Sequence, residues 1–204
     1  MNWPLYLVWD KDQEDLIRRS VGELGNVSIV GPIWFASSSI ELPKIGNNSI
    51  AVFDIQPRRI SAHFGFSTMV DLNFDNPRVP IKFIQDIDSV MSMCGGAIIH
   101  KQKRSIGNLL YKGYQSMIEK LSRNDRFISI EPDTSPIRVI ENCRAVISMP
   151  FTSTAILGRE LGKPSVYYDP TGMLQKDDRG AHGIPILSGK DELQFWVSSV
   201  LNQR

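Results

Sequence analysis

The sequence has 204 residues, 42% of them hydrophobic, which is enough to bury one full core. Its formal net charge of +1, on a charged fraction of 22%, excludes the strong positive excess that sequence-independent duplex binding requires. Nucleic acid is therefore not an expected partner.

Residues 5–9 predict a first strand, 13–24 a helix with Leu16, Ile17, Val21 and Leu24 on one face, and 27–30 a second strand, together a complete βαβ unit. A third strand over 49–55 ends at Gln56-Pro57, and 60–78 reads as a long excursion. The helix within 80–93 hands over to a short apolar strand at 97–99. An amphipathic helix at 108–121, a strand at 127–130, a short helix at 136–142 and a strand at 145–148 follow. A helix at 152–161 begins after Pro150 and is stopped by Gly162-Lys163-Pro164, a strand covers 165–168, and a terminal helix covers 192–201. This alternation is the pattern of an α/β protein with a mostly parallel sheet flanked by helices. No repeat, low-complexity tract or Pro/Gly/Ser-rich linker divides the chain, so a single domain over 1–204 is expected.

The most informative segment is Ser148-Met149-Pro150-Phe151-Thr152-Ser153-Thr154, where a buried strand ends in a turn and hydroxyl residues open a helix. The first N–H groups of a helix lack intrahelical partners and carry partial positive charge, so with the Thr152, Ser153 and Thr154 hydroxyls they can cradle a phosphate. The same hydroxyls also cap helices with no ligand present, and taken alone they favour that reading. His100, Lys101, Lys103 and Arg104 follow the apolar strand 97–99, where a dianionic nucleotide needs compensation; a solvated basic surface is the alternative, and the strand-end position favours the site. Glu131 precedes the turn Pro132-Asp133-Thr134-Ser135 one βα unit before the hydroxyl turn and can accept from ribose hydroxyls, whereas capping accounts better for Asp133 to Ser135. Arg58 and Arg59 can pair with a carboxylate or phosphate, or form a solvated face. Residues 175–183 read as a mobile loop over the site; His182 there can touch substrate, although a surface-loop histidine is the more frequent outcome, and His63 is no more decisive, with 61–68 following Asp54 closely enough to reach the cleft.

Cys94 and Cys143 lie far apart in apolar surroundings and read as reduced core thiols, which fits a cytoplasmic protein. The three histidines and two cysteines have no zinc-ligand spacing, so no metal is expected. No Gly-x-Gly-x-x-Gly follows a strand and no Walker-type Gly-Lys-Ser/Thr occurs, so no dinucleotide cofactor or P-loop chemistry is expected. The N-terminus lacks a secretory layout and no apolar run approaches the roughly 18 residues of a spanning helix, so membrane contact is expected to be at most peripheral.

Pro150-Phe151-Thr152-Ser153 resembles the motif that names the bacterial polysaccharide biosynthesis PFTS-motif proteins. Gly158-Arg159-Glu160-Leu161-Gly162-Lys163-Pro164 and the strand after it resemble the helix, Gly-Lys-Pro turn and strand that follow the nucleotide-phosphate turn of GT-B glycosyltransferases. Phe53-Asp54-Ile55-Gln56-Pro57 is similar to the strand ending in Phe-Asp-x-x-Pro near the start of the family's second domain, and the resemblance spans 49–187. It implies a Rossmann-like domain that binds a nucleotide-activated sugar, including CMP-activated acidic sugars such as Kdo, for lipopolysaccharide or capsule synthesis near the inner membrane. Some relatives are retaining enzymes with an aspartate nucleophile, which makes Asp54 the catalytic candidate; a capping or turn-forming Asp before Pro57 is an equal alternative. Phe151, Thr152, Ser153 and Thr154 would hold the nucleotide. His100 or Lys101 would correspond to the strand-end His-Pro or Lys-Pro motif of CMP-sugar transferases, although Gln102 and Lys103 stand where the proline belongs. The glycan acceptor would be bound by another domain or subunit. A sugar-nucleotide epimerase relative and a non-catalytic binding or scaffold subunit are the competing readings.

Overall fold

A computed structural model describes residues 3–21, 26–31, 41–59, 76–103 and 105–202. The expected excursion at 60–78 falls outside these up to residue 75, and with it His63 and the 61–68 stretch; Arg104 also lies outside them. Contacts divide the chain into two compact units, Met1–Ser37 and Ser38–Arg204.

The first unit is the expected βαβ element, β1 (Leu5–Val8), α1 (Lys11–Val21) and β2 (Asn26–Ile29), with β1 and β2 parallel in a two-stranded sheet of their own. Helix α1 begins earlier than its apolar period predicts because Asp10 accepts from the Gln13 N–H at 2.9 Å while the Gln13 side chain accepts from the Trp9 N–H at 2.9 Å. Acidic residues in its first turn and Arg18 and Arg19 in its last complement the helix dipole.

Among the described residues the second unit holds six strands: β3 (Ser49–Phe53), β4 (Ala97–Lys101), β5 (Phe127–Ile130), β6 (Ala145–Ser148), β7 (Ser165–Asp169) and β8 (Ile186–Ser188). They pair in the order β5-β4-β3-β6-β7-β8, and every pairing is parallel. The connecting helices are α2 (Arg78–Met93), α3 (Lys112–Leu121), α4 (Pro136–Glu141), α5 (Ser153–Glu160) and α6 (Gly189–Asn202).

Strand parity sorts the core. Ile50, Val52, Ile98, Ala145, Ile147, Val166 and Tyr168 meet Phe83, Ile84, Ile87, Val90 and Met91 of α2, Tyr114 and Ile118 of α3, and Leu193, Val197 and Val200 of α6 in one cluster. On the opposite face Tyr167 joins Ala155 and Ile156 of α5 in a smaller cluster closed by Ala181, Ile184 and Ile186. Both faces of the sheet are covered, which is why consecutive residues of β3, β4, β6 and β7 are buried instead of every second one.

Helix α5 lies close on the sheet because Gly158 has no side chain. A Cβ there would stand 2.7 Å from Val146 Cγ2 and would also collide with the Ser165 hydroxyl. Gly158→Ala is expected to cost about 1–3 kcal/mol through overpacking, despite the better helix propensity of alanine. A lowered urea midpoint with an unchanged m-value would report it, and an unchanged midpoint would mean that α5 can lift off the sheet freely.

Candidate functional site

The strand order fixes where a ligand cleft can form. From β3 the chain builds outward through β4 to β5, then crosses back to place β6 on the other side of β3 and continues to β7 and β8. The connections therefore diverge between the carboxyl ends of β3 and β6, the topological switch point at which open parallel sheets bind ligands. Asp54 follows β3 there and the Met149-Pro150-Phe151-Thr152 turn follows β6, with the Met149 N–H donating to the Phe53 carbonyl at 2.9 Å.

Within the turn, Phe151 adopts a left-handed φ of 59°, a conformation that costs a non-glycine residue about 1–3 kcal/mol. Its ring is 44% exposed and lies 6.1 Å from that of Tyr167, whose hydroxyl donates to the Thr152 carbonyl at 2.9 Å. Thr152 occupies the N-cap of α5 with extended backbone, yet makes no side-chain capping bond. Its hydroxyl turns back to the Met149 carbonyl at 2.7 Å, and the Thr154 hydroxyl pairs with that of Ser148 at 2.8 Å. The hydroxyls thus brace the turn instead of capping the helix. Thr152, Ser153 and Thr154 are all half-buried.

Asp54 has the parity of Ile50 and Val52, and His100 that of Ile98, so both side chains enter the face covered by α3. They meet Tyr114 in a buried cluster. The Tyr114 hydroxyl donates to Asp54 Oδ2, and His100 Nε2 lies 3.3 Å from the same oxygen and 3.4 Å from the Tyr114 oxygen. The Asp54 and His100 side chains have 0% exposure, and the His100 ring packs at 5.4 Å on Phe127. Asp54 Oδ1 and His100 Nδ1 are buried without a hydrogen-bond partner. Burial first, and then the neighbouring Asp54, push the Tyr114 hydroxyl pKa far above the ordinary phenol range. The expectation that His100 stands at a solvent-facing rim to meet a phosphate therefore does not match its position inside the core. Tyr114 was not singled out in the sequence, although it falls on the apolar face of its helix, where a buried hydroxyl needs a partner.

Lys101, of opposite parity, is also buried, and its ammonium donates to the carbonyls of Gln102 at 3.0 Å and Pro132 at 2.8 Å, latching the end of β4 to the turn after β5. Burial lowers its pKa, with Asp133 opposing. Lys103 is exposed beyond the strand. Glu131 is exposed at the end of β5, the outer strand, so β4 and β3 separate it from the hydroxyl turn that it precedes in sequence. Three strand spacings of about 4.8 Å lie between them. Half-buried Arg58 forms an antiparallel bridge with Leu110, and the N–H of exposed Arg59 donates to the Leu109 carbonyl at 2.8 Å, so both follow the β4 side of the switch point. The structure thus gathers Phe151, Thr152, Ser153 and Thr154 at the switch point, turns the Asp54 side chain inward to meet His100 in the core, and places Lys101, Lys103 and Glu131 on the β4–β5 side of the sheet.

These features define an α/β protein of the Rossmann type, with six parallel strands, helices on both faces and a helix opening at the switch point. The sequence matches the family described as polysaccharide biosynthesis PFTS motif protein over residues 1–197, and the chain belongs to that family. No protein of curated function matches it. Among solved structures, it is similar to a point mutant of S. aureus TarM in complex with fondaparinux, alpha-GlcNAc-glycerol and UDP, with a TM-score of 0.46 and 14% identity. That match covers 97% of this chain and 36% of the TarM chain, so this chain spans little more than a third of its length. Among the described residues no helix is long and apolar enough to cross a membrane.

Proposed function

We propose that the chain binds a nucleotide-activated sugar at the β3–β6 switch point and serves as the donor-binding part of a glycosyltransferase of polysaccharide synthesis. The observation that carries this reading is the N-terminus of α5: its N-cap side chain is committed to the Met149 carbonyl, so no side chain caps the amides that open the helix. Such amides, held at the carboxyl edge of a parallel sheet, suit the diphosphate or monophosphate of a sugar nucleotide. Exposed Phe151 beside them offers a face for a base or ribose. Holding the leaving phosphate in a preformed positive site would stabilise the charge that develops as the glycosidic bond breaks. The acceptor, and the sugar carboxylate of a CMP-activated acidic sugar if that is the donor, would then be met by Arg58 and Arg59 or by another domain or subunit.

One observation favours a second reading, a subunit that binds sugar nucleotide without turnover: the Asp54 side chain is fully buried against Tyr114 and His100 instead of facing the cleft. A thermal-shift series with CMP, CDP, UDP and GDP tests the binding that both readings share. A ligand at 100 times its Kd adds about 2.7 kcal/mol, which is roughly 5–10 °C for a chain of this size. Ser153→Pro removes one amide donor at the first helical position, where proline is well accommodated after the extended Thr152. This variant is expected to keep the fold and to bind nucleotide about tenfold more weakly, the cost of one charge-assisted hydrogen bond. Indifference of the melting temperature to all four nucleotides would remove the nucleotide-site reading.

A further inference from the structure

A recess lies between the carboxyl ends of β3 and β4 and the start of α3. It encloses about 440 Å3, within the size range of small-molecule sites. Gln56 and Gln102 from the two strand ends, Asn108 from the preceding loop, and Gln115 and Glu119 from α3 line it, with Leu110 and Ile118 supplying apolar surface. Among the described residues no lysine or arginine lines it.

That lining is chemically selective. Each carboxamide carries both donors and acceptors, Glu119 only acceptors when ionised, and none of the described lining residues carries a positive charge to neutralise a phosphate. A vicinal diol needs this combination, since each hydroxyl donates once and accepts, while the apolar C–H face of a sugar ring suits Leu110 and Ile118. The half-buried glutamines are also ordered before any ligand arrives, since Gln56 Nε2 donates to Gln102 Oε1 at 3.0 Å; on the exposed face of α3 Gln115 Nε2 donates to Glu119 Oε1 at 2.9 Å. Pre-ordered side chains lower the entropic cost of binding.

We infer that this recess is a binding subsite for an uncharged pyranose residue, separate from the phosphate-binding turn. The pyranose belongs either to a glycan chain or to the sugar of an activated donor, which share this chemistry. The inference does not depend on the nucleotide reading, since a sugar bound through Gln102, Gln115 and Glu119 needs no phosphate contact.

Saturation-transfer NMR on the whole chain provides the test, with methyl α-glucopyranoside, methyl α-galactopyranoside and methyl N-acetyl-α-glucosaminide as probes. At least one glycoside is expected to show transfer in the absence of nucleotide. That transfer should fall at least fivefold in Gln102→Leu and in Gln115→Leu, while Ser153→Pro leaves it unchanged. Gln115 is exposed on α3, so its variant is expected to keep the wild-type melting temperature and loss of signal there cannot come from unfolding. Addition of CMP or UDP separates the sources: unaffected transfer assigns the subsite to a glycan, whereas enhanced transfer assigns it to the donor sugar. No transfer from any of the three glycosides, transfer that survives both glutamine variants, or loss of transfer in Ser153→Pro would each overturn the inference. Failure of the nucleotide series with retained glycoside transfer would overturn only the nucleotide site.

Discussion

Raising the pH above about 9 is expected to unfold the protein steeply, through groups that the fold keeps neutral. Burial pushes the Cys143 thiol up to about 12 against the opposing charge of Lys163, and the Tyr167 hydroxyl up to about 12 against Arg159. Tyr114 and Tyr168 are raised further, first by burial and then by hydrogen bonding and charge from Asp54 and Asp86 respectively. The ordinary values are 9.0 for the thiol and 10.0 for the phenols. Over the interval from those values up to about 12 the unfolded chain releases protons that the folded chain retains. The folded state then binds more protons, and stability falls as pH rises. Each such group contributes about 1.4 kcal/mol per pH unit, so Cys143, Tyr114, Tyr167 and Tyr168 together approach 5 kcal/mol per unit above pH 10, against a total stability of about 5–15 kcal/mol. Lys101 acts in the opposite sense. Its lowered pKa penalises the fold while the ammonium is charged, and that penalty is relieved as pH rises toward 10.5, offsetting at most one of the four slopes. The expected result is a urea midpoint that is level from pH 7 to about 9 and collapses by about pH 11, with tyrosinate absorbance of the buried phenols appearing together with unfolding. A midpoint still level at pH 11 would mean that these hydroxyls ionise inside the folded protein and that the core around β7 admits water.

How far the sequence announced this structure depends on what fixed each feature. From β5 to β7 the expected and observed elements agree within a residue or two, because Pro136, Pro150, Gly162 and Pro164 punctuate them with local chemistry. Strand β8 was missed because it has only three residues, Ile186–Ser188, too few for a period, and only its pairing with β7 makes it a strand. The expected helix at 108–121 begins instead as a 3-10 turn at Gly107–Leu109, and Leu110 extends to bridge Arg58, a long-range contact that helical periodicity cannot register. The first βαβ unit was legible as elements, but whether its strands join the main sheet is decided by tertiary contacts. Glu131 illustrates the same limit. It is one βα unit from the hydroxyl turn in sequence, and the crossover to β6 carries the chain past β4 and β3 before that turn is built. The inward aim of Asp54 and His100 was, by contrast, available: counting by two from Ile50 and Ile98 puts both on the face that the apolar residues of α2 and α3 cover.

Asp54→Ala is expected to destabilise the protein by about 3–5 kcal/mol, a cost set by what the carboxyl group leaves behind. The Tyr114 hydroxyl and His100 Nε2 both converge on Asp54 Oδ2 in a place where neither can reach water, so removal of the acceptor strands two polar groups and opens a void. Asp54→Asn retains the shape and a carbonyl oxygen for Tyr114 and should cost distinctly less. Tyr114→Phe removes the donor and should cost about 1–3 kcal/mol, and the Asp54→Asn/Tyr114→Phe double variant should fall short of the sum of the single costs by about 0.5 kcal/mol or more, a magnitude usual for residues in one network. Urea unfolding of the wild type and the four variants measures all of this. It also separates the two roles open to Asp54. A nucleophile must face the sugar across the cleft, with its reactivity sensitive to Asn while stability is largely indifferent to Ala, because water would replace the lost partners. A group that joins β3 to α3 behaves in the reverse way, and its burial predicts that reverse. Were Asp54→Ala to leave the urea midpoint unmoved, the carboxylate would have to be solvated in solution, and the nucleophile implied by its Phe-Asp-x-x-Pro setting would become the better account.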